Sequence, residues 1–152
     1  MIVQTLVLSS LLAAFQPSSP VSWSVSAVTV EGGQVRVELV ANVEEGWHMY
    51  ATTLPSDDGP IATSIRFNPS EAYALVGGLE EPTPKEEYDG NFEMIVRHHS
   101  GSPHFYQNLR VIKKGAITIE GEVEYMVCNN RTCLPPVVVP FSVDVPNGIG
   151  KP

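Results

Sequence analysis

The chain has 152 residues, enough for one domain, and 43% of them are hydrophobic, so a core can form without help from a disulfide. Its net charge is −8 with no basic cluster, which argues against nucleic acid and anionic membrane surfaces as partners, because phosphate binding needs Lys and Arg. Scattered Pro (13) and Gly (12), with many Val, Ile and Thr, argue against a helical protein and for a β-rich one.

Residues 1–19 open with an apolar run from Ile2 to Phe15 and then turn Pro/Ser-rich. The run is too short to span a bilayer and reads as a signal-peptide core. The expected organisation is therefore an export signal over 1–19, one domain over 20–146 and a tail over 147–152. The expected location is periplasmic or secreted. After Pro20 the pattern has period two. "WSVSAVTV" and "QVRVELVAN" read as a hairpin joined at "EGG", with Val35, Val37, Leu39 and Ala41 on one face. "TSIRFNP" and "NFEMIVRH" each place alternate apolar residues on one side, Phe92, Met94 and Val96 in the second. Ala72 to Asn91, acidic and Pro-rich, reads as a long loop. "RHHSGSPHF" reads as a solvated strand end with its turn. "AITIEGEVEYMV" turns Ile117, Ile119, Val123, Tyr125 and Val127 inward and Thr118, Glu120, Glu122 and Glu124 outward. "VVVPFSVDV" carries Pro140 on its outer face, as an edge or bulged strand would. About seven strands separated by turns predict an all-β, single-domain antiparallel sandwich of immunoglobulin-like type.

The two cysteines, Cys128 and Cys133, lie in "YMVCNNRTCLPP". Five positions apart, they cannot form the long-range bridge between sheets of an immunoglobulin domain. They could face each other across a hairpin with loop "NNRT". A ring that small stabilises by only about 2 kcal/mol, so it is a weak staple. Cys128 shares the parity of Glu120, Glu122 and Glu124, which turns its thiol away from the core and towards reactivity. A zinc site would need further ligands, and no spacing ties His48, His98, His99 or His104 to the pair. No metal and no cofactor are expected. Nucleophile elbow, phosphate loop and HExxH patterns are absent from the sequence. Two readings stay open: a thiol:disulfide exchange module, and a non-enzymatic immunoglobulin-like binding module with a structural hairpin disulfide.

Three segments in order resemble the N-terminal periplasmic domain of the thiol:disulfide interchange protein DsbD. They are the Cys-x4-Cys followed by "LPP", "EEGWHMY" at Glu44–Tyr50, and "KEEYDGN" at Lys85–Asn91. The resemblance implies an immunoglobulin-like sandwich that relays electrons by dithiol/disulfide exchange, as a thiol-disulfide oxidoreductase component. It implies thioredoxin-fold proteins as electron donor and acceptor, with electrons arriving from the membrane part of the same system. For a chain of 152 residues the expectation is a membrane redox partner on a separate chain or a fragment of a longer protein, and a monomeric domain. Cys133 matches the cysteine that joins partners in mixed disulfides, and Cys128 the one that resolves them. Tyr88 stands where the family has a Phe covering the disulfide. Glu86 and Glu87 match the acidic pair near the thiols, and His48 and Tyr50 match two flanking tyrosines. The cysteine spacing is one residue shorter than in the best-known members.

Overall fold

Alternation of apolar and polar residues becomes strand after strand, because each pleated face can be buried only on one side. The computed structural model describes residues 19–146. The expected export signal, Ser19 apart, and the expected tail lie outside those residues. Eleven strands are found among the described residues: β1 (Val21–Val30), β2 (Gln34–Val43), β3 (His48–Tyr50), β4 (Ser64–Phe67), β5 (Tyr73–Glu80), β6 (Lys85–Asp89), β7 (Met94–His99), β8 (His104–Val111), β9 (Ile117–Tyr125), β10 (Val127–Cys128) and β11 (Val137–Val145). No helix among them is long and apolar enough to cross a membrane.

The strands form three antiparallel sheets, ordered β1-β2-β8-β5, β10-β3-β7-β6 and β11-β9-β4. The all-β sandwich expected from the sequence is the observed class. The β1–β2 hairpin turns at Glu31–Gly33, where Gly32 (φ 76°) and Gly33 (φ 71°) take the left-handed backbone that glycine tolerates. The first and third sheets close on one core. Val35, Val37, Leu39, Phe105 and Leu109 meet Ile119, Val123 and Tyr125 there. β11 is an edge strand, as Pro140 demands, and among the described residues it pairs only with β9. Gly121, in the middle of β9, leaves room for Phe141 beside it and for the Arg66 carbonyl; a Cβ at this position would collide with both.

Three features differ from the sequence reading. There are eleven strands rather than about seven, because β3 and β10 are too short to show a period. The expected loop from Ala72 to Asn91 holds two strands. In β5, Gly77 and Gly78 sit at a register shift against β8. β6 is a sheet edge made of "KEEYD", and charged edges are how sheets avoid pairing with strangers. Finally, His98 and His99 are buried rather than solvated.

The second sheet positions the cysteines. One of its faces lends Met49 and Val127 to the main core. The other face carries a separate small cluster, with Tyr50, Val96 and Cys128 fully buried and Leu54, Phe92, Met94, Met126 and Cys133 packed around them.

Candidate functional site

Cys128 and Cys133 are joined as a disulfide and face each other as an antiparallel bridge, so "NNRT" is the hairpin loop the spacing allowed. The loop is fastened by its own first residue. The Asn129 amide donates to the Thr132 carbonyl (2.9 Å), and Asn129 Oδ1 accepts from the amides of Arg131 and Thr132 (2.8 Å each). The Leu134 amide closes the base of the turn on the Val127 carbonyl (3.0 Å).

The parity of Cys128 gives its direction but not its access. Its side chain does leave the main core, as expected. It is not accessible, however: its exposure is 0%, because the second cluster covers that face. Alternation names the face a residue points to, and not what lies on top of it. Cys133, at the far side of the hairpin, is only half-buried. The two sulfurs of one disulfide thus differ in access.

The cover comes from the β6–β7 hairpin. Its tip runs from Gly90 to Glu93, and Glu93 has φ 53°. Asp89 Oδ1 accepts the Asn91 amide (2.8 Å), which bends the tip over the site. Asn91 Nδ2 donates to the Asn129 carbonyl (2.9 Å), so the tip is tied directly to the cysteine loop. Phe92 then packs edge-on against Tyr50, ring centroids 6.0 Å apart, within the cluster that buries Cys128.

Strand register sorts the expected site residues. Lys85, Glu87 and Asp89 alternate with Glu86 and Tyr88 along β6, so the two sets occupy opposite faces. Tyr88 pairs with Ile95 and is 62% exposed, outside the apolar cluster that holds the disulfide, although it borders the hollow shared by His48, Asp89, His98 and Asn129 of the cysteine loop. Glu86 binds Arg97 (3.0 Å). Glu87 binds His98 Nε2 (2.7 Å) and Lys85 Nζ (2.5 Å). His48 is the register partner of Cys128, and Tyr50 that of His98. Three residues the sequence reading did not place here complete the site: Phe92, Asp89 and His98. Asp89 was findable, since it continues the Lys85, Glu87 alternation once "KEEYD" is read as a strand. Among the described residues, no three His, Cys, Asp or Glu side chains converge so as to hold a metal ion.

The polar side of the site is a buried chain of titratable groups. The Tyr50 hydroxyl donates to Asp89 Oδ2 (2.5 Å). His48 Nε2 lies 3.4 Å from that hydroxyl and 3.5 Å from Asp89 Oδ2, and its ring is 4.6 Å from that of His98. Burial, then the bond to Asp89, pushes the Tyr50 hydroxyl far up. Burial alone would raise Asp89, but the Tyr50 hydroxyl and the amides of Asn91 and Phe92 outweigh it and hold the carboxyl below its ordinary value. Burial, then His98, pushes the His48 imidazole down against the pull of Asp89. A lowered His value means the unfolded chain binds more protons than the folded one below about pH 6.5. Asp89 and Glu81, both lowered, lose their contribution at still lower pH, below about pH 4. Stability should therefore climb from about pH 4 to pH 7 and then level off, as melting temperature against pH would read. His48→Phe should flatten the upper part of that climb.

The family model for the N-terminal part of thiol:disulfide interchange protein DsbD matches residues 15–144. Among solved structures, the reduced DsbD N-terminal domain of Neisseria meningitidis is 18% identical, with a TM-score of 0.50 over 82% of this chain and 86% of that one. The N-terminal periplasmic domain of ScsB from Proteus mirabilis is also 18% identical, with a TM-score of 0.57, over 86% of this chain and 48% of that one. These two likenesses concern the fold. No curated protein matches. With the family model covering most of its length, and a cysteine hairpin closed as a disulfide on a β-sandwich, the chain belongs to the DsbD N-terminal family.

Proposed function

We propose that this domain is a periplasmic thiol:disulfide interchange module that relays electrons through Cys128 and Cys133 between thioredoxin-fold proteins. The unequal access to the two sulfurs carries the reading. Exchange requires a thiolate to attack one sulfur in line with the bond while the other leaves. Cys133 is half-buried and Cys128 fully buried, so an incoming thiolate meets Cys133 first.

In the electron-receiving half, a donor thiolate attacks Cys133 Sγ. The Cys128–Cys133 bond breaks, a donor–Cys133 disulfide forms, and Cys128 leaves with the electron pair. The donor's second thiolate then attacks its own sulfur in that mixed disulfide and frees Cys133. The domain ends as a dithiol and the donor as a disulfide. In the electron-giving half, Cys133 attacks the acceptor's disulfide. Cys128 then attacks Cys133, re-forming the hairpin disulfide and releasing the acceptor reduced by two electrons. The β6–β7 tip limits attack by small thiols, and a docking partner must move it. Electrons are drawn from a thioredoxin-fold donor, and the domain works as a monomer.

The structural-staple reading makes a different prediction for removing the pair. With Cys128→Ala plus Cys133→Ala, the relay reading expects complete loss of electron transfer from a reduced thioredoxin-fold protein. It also expects a stability loss of only about 2 kcal/mol in urea unfolding, because the ring is small. Electron transfer that survives in the double variant would rule the relay out.

A further inference from the structure

We propose that His48 is the base that takes the proton from Cys128 when the domain hands its electrons on. This rests on the exchange reading and adds a residue to it. Cys128 is fully buried, so its thiol must lose a proton where bulk water does not reach. A buried thiolate without a neighbouring positive charge is strongly disfavoured. His48 stands directly opposite Cys128 across the β3–β10 pair, and opposed residues project from the same face with Cβ atoms about 5 Å apart. Its ring is held for the task. The Tyr50 hydroxyl spends its proton on Asp89 (2.5 Å), so its oxygen is left to accept from His48 Nε2–H (3.4 Å). With the proton on Nε2, Nδ1 is the basic nitrogen of the ring. Once protonated, the imidazolium has the Asp89 carboxylate 3.5 Å away as its counter-charge.

The neighbours keep the ring neutral beforehand. His98 faces it from β7, ring centroids 4.6 Å apart, and opposes a second positive charge. His98 donates Nε2–H to Glu87 Oε1 (2.7 Å), because a carboxylate only accepts, and its Nδ1 is buried without a partner among the described residues. On β6, Lys85 is neutralised by Glu87 (2.5 Å). Glu44 and Glu45, on the loop before β3, border the same surface hollow as His48, Lys85 and Glu87. Burial, followed by His98, lowers the imidazole below its ordinary value, so it is free to accept at neutral pH.

The step balances. In the mixed disulfide between Cys133 and an acceptor, His48 takes the proton from Cys128 Sγ. The thiolate attacks Cys133 Sγ, the Cys128–Cys133 bond forms and the Cys133–acceptor bond breaks. The electron pair leaves on the acceptor sulfur, which collects its proton from water. The imidazolium returns its own proton to water once the site reopens.

The test follows the reduced domain as it reacts with one equivalent of Ellman's disulfide between about pH 5 and pH 10. Attack by Cys133 releases one thionitrobenzoate, and attack by Cys128 on the resulting mixed disulfide releases the second. In the wild type the second release should rise through an ionisation below about pH 6.5 and then stay nearly flat across neutrality. In His48→Phe and His48→Gln the first release should stay within about twofold of wild type. The second should be on the order of tenfold slower or more at pH 7, climb with pH, and converge on wild type at alkaline pH. Unchanged second-release profiles in both variants would overturn the role of His48. So would a wild-type profile that lacks the ionisation below about pH 6.5, a result that needs no variant to fold. A wild-type domain that releases the first product and never the second would instead sink the exchange reading itself.

Discussion

Cys128→Ser should capture a thioredoxin-fold protein in a stable mixed disulfide through Cys133, and Cys133→Ser should capture none. The asymmetry follows from burial. Cys133 is the half-buried sulfur an outside thiolate can reach, whereas Cys128 is sealed beneath Tyr50, Val96 and the Phe92 tip. Without Cys128 the mixed disulfide has no internal thiol to resolve it. The expected effect is all or none: a covalent adduct on a non-reducing gel that disappears with reductant. Turnover in the same variant should be abolished, because the electron-giving half ends on attack by Cys128. Equal trapping by both variants would contradict the assignment of Cys133 as the contact sulfur.

The second large effect belongs to Phe92. Phe92→Ala should speed reduction of the disulfide by dithiothreitol on the order of tenfold, while Tyr88→Ala changes it by less than about twofold. The edge-on Phe92–Tyr50 contact holds the hairpin tip down. Aromatic pairs of this kind contribute roughly 0.5–1.5 kcal/mol beyond the area they bury. Loss of that contact therefore shifts the tip towards open by about two- to tenfold, and lost burial adds to it. Tyr88 points from the opposite face of β6 and is mostly exposed, so its removal leaves the cover in place. Stopped-flow reduction of the two variants decides between them. If Tyr88→Ala is the fast one, the cover is the Tyr88 side chain and the tip geometry is irrelevant.

The sandwich was legible because its long strands obey period two without interruption. β2 and β9 show it best, with every inward residue from Val35 to Ala41 and from Ile117 to Tyr125 buried. The cysteine hairpin was one of the arrangements the spacing allowed. What escaped was anything set by a second layer. Cys128, in β10, has the outward parity of the β9 glutamates and is nevertheless buried, because the β6–β7 tip folds onto that face. His98 and His99 look like a solvated strand end, yet each is buried against a carboxylate, Glu87 and Glu81. Those carboxylates lie in the stretch whose glycines, prolines and charges imitate a loop. In β6 the same charges mark an edge strand, and reading it as a strand moves Asp89 onto the cysteine face and Tyr88 off it. The resemblance located the right segments, and the register of β6 decides which of their side chains meet the disulfide.

The reduction potential of the Cys128–Cys133 pair tests the central claim most directly. It can be measured by equilibrating the domain with a dithiol/disulfide buffer and following the fraction oxidised. A relay pair should fall among thioredoxin-fold exchangers, between about −270 and −120 mV. A value below about −300 mV would mark a structural bridge that no such partner reduces, and would contradict the account.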